Sequence, residues 1–153
     1  MSELFHVIDA TADAKNLIYA TWLRSYQSSS HLVRHVSRND FFAGHHDVLD
    51  RIFDREPIVK LAVMPDDHSV ILGWACYEPW QQMDIVDRAA GVLQVSRQLV
   101  LHYVYVKPSF RRYGVAKALL AGVQHPFTYT HRTDNLSYFD KHLEGCHYNP
   151  YRA

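Results

Sequence analysis

The sequence predicts an α/β (α+β) domain whose mixed, mostly antiparallel central sheet is flanked by helices on both faces. Segments with helical spacing dominate the chain before Pro57, and β-branched, aromatic segments follow it. The later part alternates strand, helix and strand, which is the order of a parallel crossover. With 153 residues and no Gly/Ser linker or internal repeat, residues 1–153 are expected to form a single domain with its own core.

Two helices are predicted before the first strand. The first begins near Thr11 or Asp13, where apolar residues recur at helical spacing and Thr11 is a candidate N-cap. The second begins near Asn39 or Asp40 and ends before Pro57, because the residue before a proline is disfavoured in a helix. The chain is thus expected to start with two helices that pack on the sheet.

The strands follow in a recognisable order. Residues 58–64 and 70–78 are rich in β-branched residues and enclose the turn sequence PDDHS, which predicts a hairpin. Residues 79–97 fit no single pattern, and a loop with a helical turn is expected there. A strand is predicted over 98–106 and a helix over 114–124, followed by a strand at 127–130, a helix at 135–145 and a short last strand at 146–151.

Composition narrows the classes of function. A charged fraction of 21% and a hydrophobic fraction of 48% are typical of a globular protein. A formal net charge of zero argues against a general nucleic-acid or membrane surface. The first ten residues lack the pattern of a signal peptide, no apolar run is long enough to span a bilayer, and two cysteines suit a reducing compartment. We therefore expect a cytoplasmic protein that binds neither nucleic acid nor membrane.

The stretch from 103 to 122 changes from a strand to a helix around two arginines and a glycine. Backbone N–H groups at a helix start lack partners inside the helix and favour an anion. Gly114 lets the backbone approach a ligand closely, and Arg111 and Arg112 supply forked donors that suit phosphate oxygens. The ATP-type phosphate loop and the dinucleotide fingerprint are both absent from the sequence. The stretch predicts a pyrophosphate site, and the alternative is an ordinary turn with solvated arginines.

The pattern that ends in Arg111, Gly114 and Ala116 resembles the Q/R-x-x-G-x-G/A signature of the GCN5-related N-acetyltransferase (GNAT) superfamily. The resemblance covers about twenty residues closely, and the order of elements agrees with that fold over nearly the whole chain. It implies acetyl-CoA or coenzyme A as co-substrate. The residues implied in pantetheine binding are Val104, Tyr105 and Val106, and those implied at the pyrophosphate are Arg111, Arg112, Tyr113, Gly114, Val115 and Ala116. Asn135 is implied as a further cofactor contact, or is a helix N-cap.

The catalytic groups depart from the family pattern. The strand 98–106 lacks the glutamate that the family often places there. His102, expected on the face of Val104 and Val106, is the candidate base, and Glu78, expected at the end of the neighbouring strand, could assist through water. Either residue could instead have a structural role. At the position of the family's usual tyrosine acid stands Lys141, so Tyr138 is the candidate acid, and Tyr148 is a weaker alternative.

The first two helices are implied to wall the acceptor site, where Tyr26, Phe41 and Phe42 are candidate substrate contacts or core residues. His31 and His35 are spaced one helical turn apart but have no third ligand nearby in the sequence, and no metal site is expected. The stretch YATWLRSYQSS resembles the first helix of small GNAT-like proteins encoded by phages. A phage protein would act in the host cytoplasm on a host protein or metabolite.

The predicted function is acetyl transfer from acetyl-CoA to a primary amine by direct attack, with a small molecule or a protein as acceptor. The alternative is a GNAT-fold binding module that docks a partner protein, such as a host protein, with little or no acetylation. A third reading is a regulator that binds acyl-CoA without turnover. A homodimer is common in the superfamily and is a possible state here.

Overall fold

A computed structural model of the chain describes residues 3–123, 126–133 and 145–153, with the backbone alone over 81–87 and 92–97. It contains six strands and three α-helices among these residues. The strands are β1 (His6–Asp9), β2 (Ile58–Val63), β3 (Ile71–Asp87), β4 (Val92–Val106), β5 (Phe127–Tyr129) and β6 (His147–Tyr148). The helices are α1 (Lys15–Ser29), α2 (Arg38–Asp54) and α3 (Val115–Leu119).

The strands form one sheet in the order β1-β2-β3-β4-β5-β6. The pairs from β1 to β4 are antiparallel, whereas β4–β5 and β5–β6 are parallel. The predicted fold class, the hairpin of β2 and β3 and the parallel crossover are therefore confirmed. Strand β1 was not predicted, because it has only four residues at the sheet edge and shows a weak alternation of burial.

Two elements differ from the sequence prediction. Residues 79–97 are not a loop with a helical turn: β3 and β4 continue as an antiparallel ribbon from the pair Pro79–Leu99 to the pair Asp87–Val92. Gly91, with φ of 66°, lies in the turn that closes this ribbon. The helix expected over 114–124 is also shorter, and α3 ends at Leu119. A short apolar segment beside a tight turn fits either a strand or a helix by periodicity alone.

The core lies on both faces of the sheet. On one face, α1 and α2 pack against Trp74, Cys76 and Tyr103, and the indole N–H of Trp74 donates to Thr21 Oγ1 at 2.9 Å. On the other face, α3 packs against a second cluster that includes Leu101. The sheet is thus covered on both faces, and α1 and α2 are held over the middle of β3 and β4.

A β-bulge in β4 sets the geometry of the site. Cys76 pairs with Tyr103 while the next residue, Tyr77, pairs with Leu101, so His102 is an extra residue in β4. The bulge shifts the alternation of side chains. Consequently His102 points to the face of α1 and α2, and the prediction that it shares a face with Val104 and Val106 is wrong: those valines pack in the cluster around α3.

Candidate active site

Strand β4 has a free edge immediately after the bulge. Its pairing with β5 ends at Leu101 and Tyr129, and the last hydrogen bond runs from Thr130 N to Leu101 O at 3.1 Å. Among the described residues, none pairs with the same edge of β4 over 103–106, although β3 still pairs on the other side. A groove of about 340 Å³ follows this edge and is lined by Ser25, Ser28, Ser29, Tyr103, Val104, Tyr105, Val106, Arg111, Ala116 and Thr133. The structure thus brings the three predicted pantetheine residues to one open edge.

The loop after β4 presents backbone N–H groups beside this groove. Lys107 N donates to Leu72 O at 2.8 Å and anchors the start of the loop. Within it, Arg112 has φ of 71° and Gly114 has φ of 81°, both in the left-handed region. In the part of the chain that the structure describes, no group accepts a hydrogen bond from the backbone N–H groups of 112–116. Such successive free amides form anion-binding concavities.

The side chains of this loop add positive charge at the end of the groove. Arg111 Nε donates to Val106 O at 3.2 Å, which holds the guanidinium against the last residue of β4. Arg112, Tyr113 and Gly114 are exposed, whereas Val115 is buried and fixes the start of α3 in the core. Because α3 has only five residues, the loop amides and the arginines supply more of the attraction for an anion than the helix dipole does.

His102 and Glu78 form a buried pair on the opposite side of β4 from α3. His102 is 0% exposed, and its Nε2 lies 2.7 Å from Glu78 Oε1. Glu78 lies within β3 and not at its end, so the predicted position is wrong and the contact with His102 is direct. Arg55, the C-cap of α2, donates two hydrogen bonds to Glu78 Oε1, from Nη2 at 2.7 Å and from Nε at 3.1 Å.

Glu78 and His102 differ in charge at neutral pH. Burial alone would raise the pKa of Glu78, but the hydrogen bonds from His102 and Arg55 and the positive charge of Arg55 outweigh it, so the pKa is lowered. Burial lowers the pKa of His102 more than Glu78 raises it. Glu78 is therefore a carboxylate and His102 a neutral imidazole at neutral pH.

Three further polar residues continue from His102 and were not predicted from the sequence. His102 Nδ1 lies 3.0 Å from Thr130 Oγ1, and Thr130 Oγ1 lies 2.8 Å from His131 Nδ1. His131 Nε2 in turn lies 2.7 Å from His45 Nε2 on α2. Burial is the main cause that lowers the pKa of His45 to about 4 and the pKa of His131 well below its usual value. No local spacing marks these residues as a group, because 86 residues separate His45 from His131.

This polar row ends at a second cavity. The cavity has a volume of about 320 Å³ and opens between α1, α2 and the segments around β5 and β6. Its lining residues are Tyr26, His45, Val48, Arg51, Thr130, His131, Tyr148, Pro150, Tyr151 and Ala153. His102 does not line it, whereas His45, Thr130 and His131 do, and His45 is the most exposed of these three side chains.

The predicted substrate residues occupy different places. Tyr26 lines the second cavity, and burial raises its pKa to about 12. Phe41 is 5% exposed and stacks on His45 with ring centroids 5.1 Å apart. Phe42 packs on Phe41 at 5.9 Å and lines neither cavity described above.

Some of the predicted site residues lie outside the described residues. They are Asn135, the candidate cofactor contact, and Tyr138, the candidate acid, together with Lys141. Tyr148, the weaker alternative, ends β6 and lines the second cavity, where burial raises its pKa. It stands beside Tyr129, whose pairing with β4 ends where the free edge begins.

One group of side chains elsewhere has the composition of a metal site. His46, Asp47 and Asp50 on α2 bring their ligand atoms within 4.8 Å of one another. His46 and Asp47 are exposed, and Asp50 already accepts a hydrogen bond from Tyr19 at 2.9 Å. Such acidic surface clusters are common without an ion. Among the residues with a described position, no helix is long and apolar enough to cross a membrane.

Several solved structures of acetyltransferases share the fold of this chain. The chain is similar to a putative acetyl transferase from Pyrococcus furiosus, with 15% identity over 90% of both chains and a TM-score of 0.63. An acetyltransferase from Vibrio fischeri shows 15% identity over 91% of this chain and 90% of that chain, with a TM-score of 0.50. A histone acetyltransferase HPA2 and related acetyltransferase from Corynebacterium glutamicum shows 16% identity over 78% and 70% of the two chains, with a TM-score of 0.51.

At these identities the similarity concerns the fold. No curated protein matches the sequence. The model of the acetyltransferase (GNAT) family, however, matches residues 19–125, which include most of α1 and all of α2, β2 to β4, the loop and α3. The match spans more than half of the chain and contains both the free edge of β4 and the loop with the free amides. The chain therefore belongs to the acetyltransferase (GNAT) family.

Proposed function

We propose that the protein is an acetyl-CoA-dependent N-acetyltransferase that transfers the acetyl group to a primary amine. The observation that carries this proposal is the free edge of β4 over 103–106, which leads into a loop of unpartnered amides and two arginines. An extended amide-containing arm can add to a strand edge through backbone hydrogen bonds. A pyrophosphate suits free amides and guanidinium groups at the end of that edge.

The cofactor residues follow from this arrangement. Val104, Tyr105 and Val106 would hold the pantetheine arm along the groove, and residues 111–116 would bind the pyrophosphate. Asn135, outside the described residues, remains a candidate for a further contact. The acetyl group would then lie near the bulge at His102, where β4 and β5 separate.

Acetyl transfer by direct attack needs a neutral amine, a base for its proton and an acid for the thiolate. We assign the base function to the pair of His102 and Glu78. His102 is 0% exposed and Glu78 is 6% exposed, so the pair would receive the proton through its polar neighbours. Tyr138, or Tyr148 in the second cavity, would protonate the thiolate. The pair takes the place of the glutamate that the family often has on this strand, which residues 98–106 lack.

The second cavity is the proposed acceptor site. Arg51 is the cation among its described lining residues, and none of their side chains is a carboxylate. A polycationic acceptor would meet no acidic side chain there, so an amine on a neutral or anionic molecule, or on a protein segment of that character, fits better. A phage origin of the chain would make that acceptor a host protein or metabolite.

Calorimetric titration of the purified protein with acetyl-CoA tests the cofactor site. We expect micromolar binding, about −8 kcal/mol, and loss of binding in Gly114→Asp. Gly114→Asn is the matched control, because asparagine has the same size, no charge and a better tolerance of the left-handed conformation. A Cβ at Gly114 meets no protein atom within 4 Å, so a steric clash inside the free protein would not explain the loss.

Each outcome leads to a different conclusion. Binding that is lost in Gly114→Asp and retained in Gly114→Asn assigns the loop to the pyrophosphate, and a screen of amines for release of free thiol then tests turnover. Equal affinity of all three proteins would overturn the site. Absence of binding by the intact protein would favour the binding module, and capture of partner proteins would be the next experiment.

A further inference from the structure

The polar residues between Arg55 and His45 form one unbroken row through the protein. In order, the row contains Arg55, Glu78, His102, Thr130, His131 and His45, and the distance between each pair of neighbours lies between 2.7 and 3.0 Å. It starts at the C-terminal end of α2, crosses β3 and β4, and returns to the middle of α2 at the second cavity. The inner members are buried, and His45 is partly exposed to the cavity.

The negative charge of Glu78 fixes the position of every exchangeable proton from His102 to His45. An ionised Glu78 can only accept, so His102 Nε2 carries a hydrogen and His102 Nδ1 is an acceptor. Thr130 must then donate its one hydroxyl hydrogen to His102 and accept from His131 Nδ1. His131 Nε2 is left as an acceptor, and His45 Nε2 must donate to it. A neutral imidazole has one N–H, so His45 Nδ1 is the bare nitrogen.

That nitrogen has no partner in the described structure. The side chain of His45 makes a single hydrogen bond with the described residues, through Nε2, and His45 lines the cavity. The other titratable or charged side chains that line the cavity are Tyr26 on α1, Arg51 on the same helix, His131 after β5, Tyr148 on β6 and Tyr151. Phe41 stacks on the imidazole at 5.1 Å and holds the plane of the ring.

We infer that His45 Nδ1 is the base that receives the proton of the acceptor amine. Successive proton transfers along the row behind His45 then deliver one proton to Glu78. The inference rests on the proposed function, because it names the residue that meets the acceptor. His45 is thus a catalytic residue, whereas Thr130, His131 and His102 are positioning and relay residues. It accounts for the complete burial of His102, which a direct base could not have.

The proton transfers balance along the row. The amine N–H bond breaks and an N–H bond forms at His45 Nδ1. At the same time His45 Nε2 gives up its proton to His131 Nε2. His131 Nδ1–H passes one to Thr130 Oγ1, and Thr130 passes one to His102 Nδ1. His102 Nε2–H then protonates Glu78. Glu78 and the three histidines end neutral, each histidine with its hydrogen on its other ring nitrogen, and Arg55 keeps its positive charge. The reverse transfers return the proton through His45 to solvent or to the thiolate.

Nitrogen-15 NMR of the histidines in the intact protein tests the arrangement without any substrate. At neutral pH we expect hydrogens on His102 Nε2, His131 Nδ1 and His45 Nε2. Thr130→Val, which removes the central hydroxyl and keeps a similar shape, should release the constraint and allow His45 to populate the Nδ1–H form. A dominant Nδ1–H form of His45 in the intact protein would overturn the inference, whatever the result with acetyl-CoA.

Turnover with an amine from the thiol-release screen tests the catalytic role. We expect His45→Ala to lower kcat by at least tenfold, to keep its affinity for acetyl-CoA and to be rescued by added imidazole. His46→Ala, on the next residue of the same helix, should keep its turnover and should not respond to imidazole. Full turnover by His45→Ala would refute the role of His45. Binding of acetyl-CoA without turnover of any amine by the intact protein would instead refute the proposed transfer activity.

Discussion

A fall in pH from about 7.5 to about 5 should destabilise the folded protein through its buried histidines. His45, His102 and His131 all have lowered pKa values in the folded chain, mainly because burial disfavours the charged imidazole. The unfolded chain takes up protons near the usual pKa of about 6.5. Between the folded and unfolded pKa values the unfolded state binds more protons, so the free energy of unfolding falls as the pH falls.

The size of the effect follows from His45, whose pKa drops from 6.5 to about 4. The linkage relation gives a loss of about 2 kcal/mol for this residue between pH 7.5 and pH 5. His131 and His102 add to the loss with the same sign. Glu78 contributes at lower pH, because its lowered pKa stabilises the fold above the unfolded value and this stabilisation is lost in more acidic solution.

Urea unfolding at several pH values measures this dependence. His45→Gln should flatten the plot of unfolding free energy against pH by about 2 kcal/mol over the same interval. Gly44→Ala is the control: this helix position has open space around it, so alanine should shift the whole plot upward by about 0.5–1 kcal/mol without changing its slope. A free energy of unfolding that is equal at both pH values in the intact protein would refute the buried, neutral state of these histidines.

Two further substitutions test the packing around the site. Gly73→Ala would place a Cβ 2.5 Å from Tyr105 O, so β4 must move. We expect the free energy of unfolding in urea to fall by about 1–3 kcal/mol and acetyl-CoA to bind more weakly by calorimetry. A variant with unchanged stability and unchanged affinity would contradict the register of β3 and β4. Arg55→Met leaves the buried Glu78 carboxylate without its cation and should cost about 2–3 kcal/mol, less than for a fully buried pair because Arg55 is 33% exposed. Adding Glu78→Gln to that variant should recover part of the loss, and a strictly additive double-mutant cycle would show that the pair is not coupled.

The local features of the fold were predictable from the sequence where one signal dominated. α2 lies within one or two residues of its predicted start because Ser37 and Asp40 mark its N-terminus, and Ser37 accepts from Asp40 N in the structure. The turn predicted around Gly114 is present, and the structure adds that this glycine is left-handed, with φ of 81°. Residues 79–97 were not predictable, because a hairpin ribbon with a turn near Gly91 and a loop with a helical turn share the same short-range pattern.

The candidate site was predictable only in the part that is continuous in the sequence. Residues 104–106 and 111–116 are neighbours along the chain: the pattern at 111–116 predicted an anion site, and the family resemblance of that pattern implied a role for 104–106. The polar row depends on contacts between distant segments: Arg55 meets Glu78 across 23 residues, and His45 meets His131 across 86. No alternation or helical period records such a contact, so its members looked like isolated polar residues.

The bulge at His102 links these two parts of the site physically. One extra residue in β4 turns His102 toward Glu78 and leaves Val104 and Val106 on the opposite face. The pairing of β4 with β5 ends one residue before the bulge, at Leu101, so the same irregularity stands where the free edge begins. A regular strand would place His102 against the α3 cluster, break its contact with Glu78 and leave a buried imidazole without partners, which costs about 1–3 kcal/mol. The bulge therefore positions the free edge of β4 and the polar row relative to each other, and deletion of one residue from β4 should disturb both.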